Sequence, residues 1–214
     1  MSLATLLVLA DGRLPAGGHA HSGGLEAAVA AGRIRDVAGV AEFLRGRLAT
    51  AGLVAAAFAA AACARPGRWA ELDDGLDART PSPALRRASR AQGRALLRAG
   101  RAMWAVPAIG REAHHPVALG ALAAGAGLGP AEAAVAAAHG SVTGPASAAV
   151  RLLGLDPYAV HALLARLAPD CDRIAADAAT RTDDPVDALP AAGAPLLDIG
   201  AELHATWEVR LFAS

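Results

Sequence analysis

Lysine is missing altogether from this 214-residue chain; every basic side chain is arginine. The 20 basic residues balance 20 acidic ones, so the formal net charge is zero. A neutral chain lacks the clustered positive charge on which sequence-blind nucleic-acid binding depends, and nucleic acid is not expected as a partner. Near-zero charge favours association, and a covered partner surface suits it better than a free monomer. Aromatics amount to only 3%, which excludes a core of large aromatic layers. Two cysteines, Cys63 and Cys171, are too few and too far apart for a disulfide scaffold or a CxxC metal site; they read as small buried hydrophobes. No basic segment precedes the first apolar residues, so a signal peptide is not expected and a cytoplasmic protein is. Residues 48–64 carry no charge, but the run is shorter than the roughly 20 residues of a membrane span and is mostly alanine; it reads as a buried helix.

What the chain has instead is alanine, which supplies most of the 54% hydrophobic content. Alanine is the best helix former and lets helices approach closely while burying little area per residue. No window alternates β-branched and aromatic residues as strands do. Proline and glycine punctuate the chain at helical intervals. A short helix is predicted over 3–10, then a glycine-rich loop, then a helix capped by Ser22 and stopped by Gly32. Asp36 caps a long helix toward Cys63, ended by Arg65-Pro66-Gly67. A helix over 69–78 is followed by one from Ser82-Pro83, cap and first turn, to about Trp104. Pro116 and Pro130 begin further helices. Thr143-Gly144-Pro145 is predicted to break the second of these, and Ala168-Pro169 to break the helix started by Asp156-Pro157. A proline- and acid-rich loop over 182–195 precedes a last helix and a short tail. The fold class is all-α: a single-domain helical bundle of about eight to ten helices over residues 1–214, with 209–214 as a tail.

Few residues suggest chemistry. His19 and His21, and His114 with His115, are pairs that could face one metal ion, and imidazole suits nickel; each pair lacks an evident third and fourth ligand nearby, so turn capping or packing is the plainer reading. Ser22 with His21, or Ser147 with His139, offers nucleophile and base, but neither serine stands in G-x-S-x-G, and Ser22 reads better as a helix cap. There is no G-x-x-x-x-G-K-[ST] loop for a nucleotide. The arginines at 86, 87, 90, 94, 98 and 101 recur at helical spacing, as a solvated face or as a docking face. The tail, with Leu211 and Phe212, reads as a segment that a partner covers.

Four motifs in order span the chain: Leu9-Ala-Asp-Gly-Arg-Leu-Pro-Ala-Gly-Gly-His-Ala-His-Ser-Gly-Gly-Leu-Glu26; Arg86-Arg-Ala-Ser-Arg-Ala-Gln-Gly93; His114-His-Pro-Val-Ala-Leu-Gly120 with Ser147-Ala-Ala-Val-Arg-Leu152; and Pro195-Leu-Leu-Asp-Ile199 with Arg210-Leu-Phe-Ala-Ser214. Together they resemble the signatures of the urease accessory proteins called UreF. The chain departs from that pattern where the family usually has an aromatic, at His19 and often at His21. The resemblance implies an all-α, dimeric, non-catalytic factor that needs no cofactor of its own. It implies a complex with UreD (also called UreH) and the GTPase UreG, which activates the urease apoprotein by inserting nickel, with UreE as nickel donor. By motif, Arg210, Leu211, Phe212 and Ser214 would contact UreD/UreH, and Gly17, Gly18 and Glu26 would help build a surface facing UreG or the second protomer. The rival readings are a nickel metallochaperone using His19, His21, His114 and His115, and a regulator whose arginine stimulates GTP hydrolysis by UreG. On the tail's docking role, deleting 210–214 would leave the fold nearly indifferent.

Overall fold

Alanine at the centre of the chain sets how its helices meet. The computed structural model describes residues 2–106, 108–109 and 112–214. Among them lie ten α-helices and no strand: α1 (Leu3–Ala10), α2 (Leu25–Ala30), α3 (Val37–Arg47), α4 (Leu53–Ala64), α5 (Trp69–Ala78), α6 (Pro83–Arg101), α7 (His115–Gly125), α8 (Pro130–Leu153), α9 (Pro157–Thr180) and α10 (Pro195–Ala205). The all-α expectation holds. α4 runs through the middle, against α7, α8 and α9, and Ala56 through Ala62 is no more than 1% exposed anywhere. With no long side chain between them, backbones nearly touch: a Cβ on Gly120 of α7 would sit 2.3 Å from the Ala59 carbonyl oxygen. One contiguous cluster of buried residues extends from Leu9 to Phe212.

Caps fall where short polar side chains predicted them. Asp36 accepts from the Gly39 N–H at 2.8 Å, Ser82 from Leu85 at 3.1 Å and Asp156 from Tyr158 at 3.0 Å. α3 and α4 form one continuous rod through a π turn at Leu48–Gly52. There Gly52 meets α8: a Cβ would lie 2.7 Å from Ser141 Oγ. The joined stretch Val37–Ala64 is long and apolar enough to cross a membrane by length and composition, but 61% of its most apolar window is buried inside the fold. Cys63 and Cys171 are buried free thiols, as read. Burial pushes the Cys63 thiol up to about 11.

Two predicted breaks are not breaks. Pro145 lies inside α8 and Pro169 inside α9. A proline in a helix leaves the carbonyl four residues earlier without its donor. For Pro145 that carbonyl belongs to Ser141, and Arg47 Nε donates to it at 2.9 Å; Arg47 Nη1 donates to the Gly23 carbonyl at 2.8 Å. A guanidinium from α3 thus replaces the missing amide. Pro169 and Ala165 are both exposed, so the freed carbonyl in α9 belongs to a residue on the solvent side of the helix. The helix predicted from Ser82 ends at Arg101, three residues short of Trp104.

Candidate partner-binding site

The last residues of the chain return to the glycine-rich loop near its start, and Glu26 fastens them there. Glu26 lies in the first turn of α2 and is 8% exposed. Its Oε1 accepts the Leu211 N–H at 2.8 Å and its Oε2 the Phe212 N–H at 3.0 Å; Oε2 also pairs with His204 Nε2 of α10 at 2.8 Å. Burial pushes this carboxyl up, but the bonds from Leu211, His204 and Phe212 outweigh it and hold it below its ordinary value. Further along, the Ala213 N–H donates to the Ala20 carbonyl at 2.7 Å, and the Ser214 carbonyl accepts from Ser22 N–H at 2.6 Å and Ser22 Oγ at 3.0 Å. Ser22 Oγ in turn accepts the Glu26 N–H at 3.2 Å. Ser214 Oγ and His21 Nδ1 are 2.7 Å apart. Phe212 is 4% exposed, with the Arg151 guanidinium 4.8 Å over its ring.

The clasp engages several residues for which partner contacts are expected. Phe212 is a core residue rather than an open anchor, and Ser214 faces its own loop. Glu26 points inward and organises the tail instead of offering a surface. A tail that gives two hydrogen bonds to a buried carboxylate and seats a buried ring is part of the fold, so its deletion is expected to cost stability. Ser22 does support the start of α2, but the cap residue is Gly24, at φ 91°. Gly23, at φ 62°, is required twice over: a Cβ would also approach Pro145 Cγ to 2.9 Å. Gly17, at φ 75°, and the exposed Gly18 shape the loop beside the clasp. Arg210 and Leu211 stay outside, as expected; Leu211 is 53% exposed.

Beside them lies a surface the sequence reading missed. Leu196, Ile199 and Leu203 of α10 are 63%, 56% and 59% exposed, and Val209 is 88% exposed. Spacings of three and four put the three helical residues on one face. An outward apolar stripe has the same period as an inward one, so sequence alone gives no sign of which it is. His204 was missed as well; nothing local marks it as the partner of a glutamate 178 residues away.

The second pair of histidines serves another structural knot. His114 is 1% exposed and both ring nitrogens are engaged: Nδ1 with Ser89 Oγ at 3.0 Å and Nε2 with Asp77 Oδ1 at 2.8 Å. Arg90 bridges Asp73 and Asp77, and Asp73 accepts the His114 N–H at 2.7 Å. Burial pushes the Asp77 carboxyl up, yet the bonds from His114 and Arg90 hold it below the usual range. Ser89, His114 and Asp77 are the residue types of a nucleophilic triad, but the imidazole is sealed from solvent, and Ser89 Oγ accepts the His115 N–H at 3.1 Å. Together they tie α5, α6 and the start of α7. Gly93 permits the closeness: a Cβ there would lie 2.1 Å from the Ala113 carbonyl oxygen. His115 is pushed down to about 4, by burial first and then by the charge of His21. Among the described residues no three histidine, cysteine or acidic side chains converge to hold a metal ion. Ser147 and His139 stand eight residues apart on one helix, about 12 Å along its axis, too far to form a nucleophile–base pair.

Comparison with known proteins gives the class of this helical protein and then its family. Relatives in Mycobacterium sp. (strain JLS), Mycolicibacterium vanbaalenii and Mycobacterium marinum, each named urease accessory protein UreF, are 49%, 46% and 44% identical; each alignment covers 100% of this chain and 99% of the relative. The UreF family model matches residues 34–168. The chain belongs to the UreF family of urease accessory proteins.

Proposed function

We propose that the chain is a urease maturation factor without catalysis of its own. Residues 1–214 act as one domain that dimerises in the cytoplasm. With UreD/UreH and the GTPase UreG it forms the complex that inserts nickel, the cargo, into the urease apoprotein at the expense of GTP. One observation carries this reading: the exposed apolar rim of Leu196, Ile199, Leu203, Val209 and Leu211, set beside a tail that its own loop holds in place. Exposed apolar side chains gathered on one helix face and in the segment that follows it fit a protein contact. In this reading Leu211 and Arg210 touch UreD/UreH directly. Phe212, Ser214 and Glu26 act from beneath by fixing the tail, and Gly17 and Gly18 shape the adjoining loop. The engaged ring nitrogens of His114 weigh against the metallochaperone reading, because a ligand nitrogen must be free.

The test is co-purification of the full chain with UreD/UreH and UreG, comparing wild type with Leu203→Arg and Leu211→Arg. Both sites are exposed, so the variants are expected to melt with wild-type stability and to lose the complex and urease activation. Undiminished complex formation by both variants refutes the reading.

A further inference from the structure

The arginines of α6 divide into two groups. Arg86 donates to the Thr80 carbonyl and stands 3.9 Å from Asp77, and Arg90 is taken up by Asp73 and Asp77. Arg87, Arg94, Arg98 and Arg101 are all exposed. At about 100° per residue these four fall within an arc of about 60°, and at about 1.5 Å per residue they extend along about 21 Å of helix. Arg94 alone has a salt-bridge partner among the described residues, Glu112 at 3.4 Å, and both side chains of that pair are largely in solvent. At the other end, Glu202 lies near Arg87 but is already engaged by Ser82 Oγ and the Ala84 N–H. Ala84, Ala91 and Ala95 run along one side of the row, too short to shield it. Favourable placement near a helix C-terminus accounts for Arg98 and Arg101, but not for Arg87 or Arg94 in the body of the helix.

We propose that this row is a docking face for an acidic protein surface, presented by a component of the assembly argued for above; in that respect it rests on that reading. Arginine forks hold carboxylates with two parallel hydrogen bonds, which suits a row of acidic side chains on a partner helix. The chain's net charge of zero makes the row a local field rather than a general basicity. Nucleic acid fits less well, because no aromatic residue stands between Arg87 and Arg101 for bases to stack on.

The experiment uses the full chain carrying R87Q, R94Q, R98Q and R101Q together, with a control carrying R13Q, R33Q, R45Q and R166Q. The first arm measures binding to UreD/UreH and UreG at low and high salt. The second measures anisotropy of labelled polyglutamate and of a labelled DNA duplex. The α6 variant is expected to keep its melting temperature and lose affinity for complex and polyglutamate at least about tenfold, with the wild-type affinity falling as salt rises. The control should bind as wild type does. Equal losses in both variants, tighter binding of DNA than of polyglutamate, or a complex untouched by the α6 changes overturns the proposal. If wild type forms no complex at all, the assembly reading fails, and the polyglutamate arm alone decides whether the row is an acid-binding face.

Discussion

Replacing Glu26 by alanine removes one carboxylate and three acceptor contacts at once. His204, 4% exposed, loses its partner, and the Leu211 and Phe212 N–H groups lose theirs. Each buried donor left without its acceptor costs about 1–3 kcal/mol. The bonds share one acceptor group and are not additive, so the same range serves for the whole site. If the clasp opens with global unfolding, each kcal/mol lowers the melting temperature by about 2–4 °C in a chain of this size, giving a fall of about 2–12 °C. If the tail opens by itself, the loss appears as faster amide exchange at 209–214 with a smaller fall in melting temperature. Hydrogen exchange and calorimetry on the same protein distinguish the two. Because the Glu26 carboxyl is held below its ordinary 4.5 in the folded protein, its stabilisation is fully present above that value. It is lost as pH falls below 4.5 and through the lower folded value, so acid should release the tail in wild type and change little in Glu26→Ala. A Glu26→Ala protein whose tail exchanges as slowly as wild type would refute the reasoning.

Three further outcomes follow from the packing. Gly93→Ala should destabilise by about 1–3 kcal/mol or more, since its Cβ would meet a backbone oxygen at 2.1 Å that no rotamer change can relieve; thermal melting checks it. Arg47→Met should leave the Ser141 and Gly23 carbonyls without their donor, at about 1–3 kcal/mol each, and hydrogen exchange should show the loss around Pro145. In equilibrium dialysis with Ni²⁺ the isolated chain should bind weakly, and His19→Ala with His21→Ala should still form the complex; a tight stoichiometric site abolished by those changes would favour the metallochaperone reading.

The helices were legible because their signals are local. Ser82-Pro83 and Asp156-Pro157 announce a start through cap and ring geometry within two residues, and α5 begins and ends where the sequence reading put it. The false breaks at Pro145 and Pro169 share a cause: proline's cost depends on what else can reach the orphaned carbonyl, and for Ser141 that is an arginine 94 residues away. The seating of the tail depends on contacts equally remote in sequence. Leu211 and Phe212 are alike in sequence and both give their N–H to Glu26, yet the ring turns in beneath Arg151 while the neighbouring leucine stays out. The motif containing Glu26 was legible as a pattern, but its inward direction was not.

The alanine-lined centre has a thermal consequence. Unfolding raises heat capacity mainly by wetting apolar area, at about 0.45 cal/mol/K for each Å². Helices that meet backbone to backbone through Ala56–Ala62 and Gly120 hide little hydrocarbon per residue. The increment for this chain should therefore fall below the usual range of about 12–15 cal/mol/K per residue. Its free energy of folding then bends less with temperature, and the protein keeps a broad, shallow optimum in place of a sharp one.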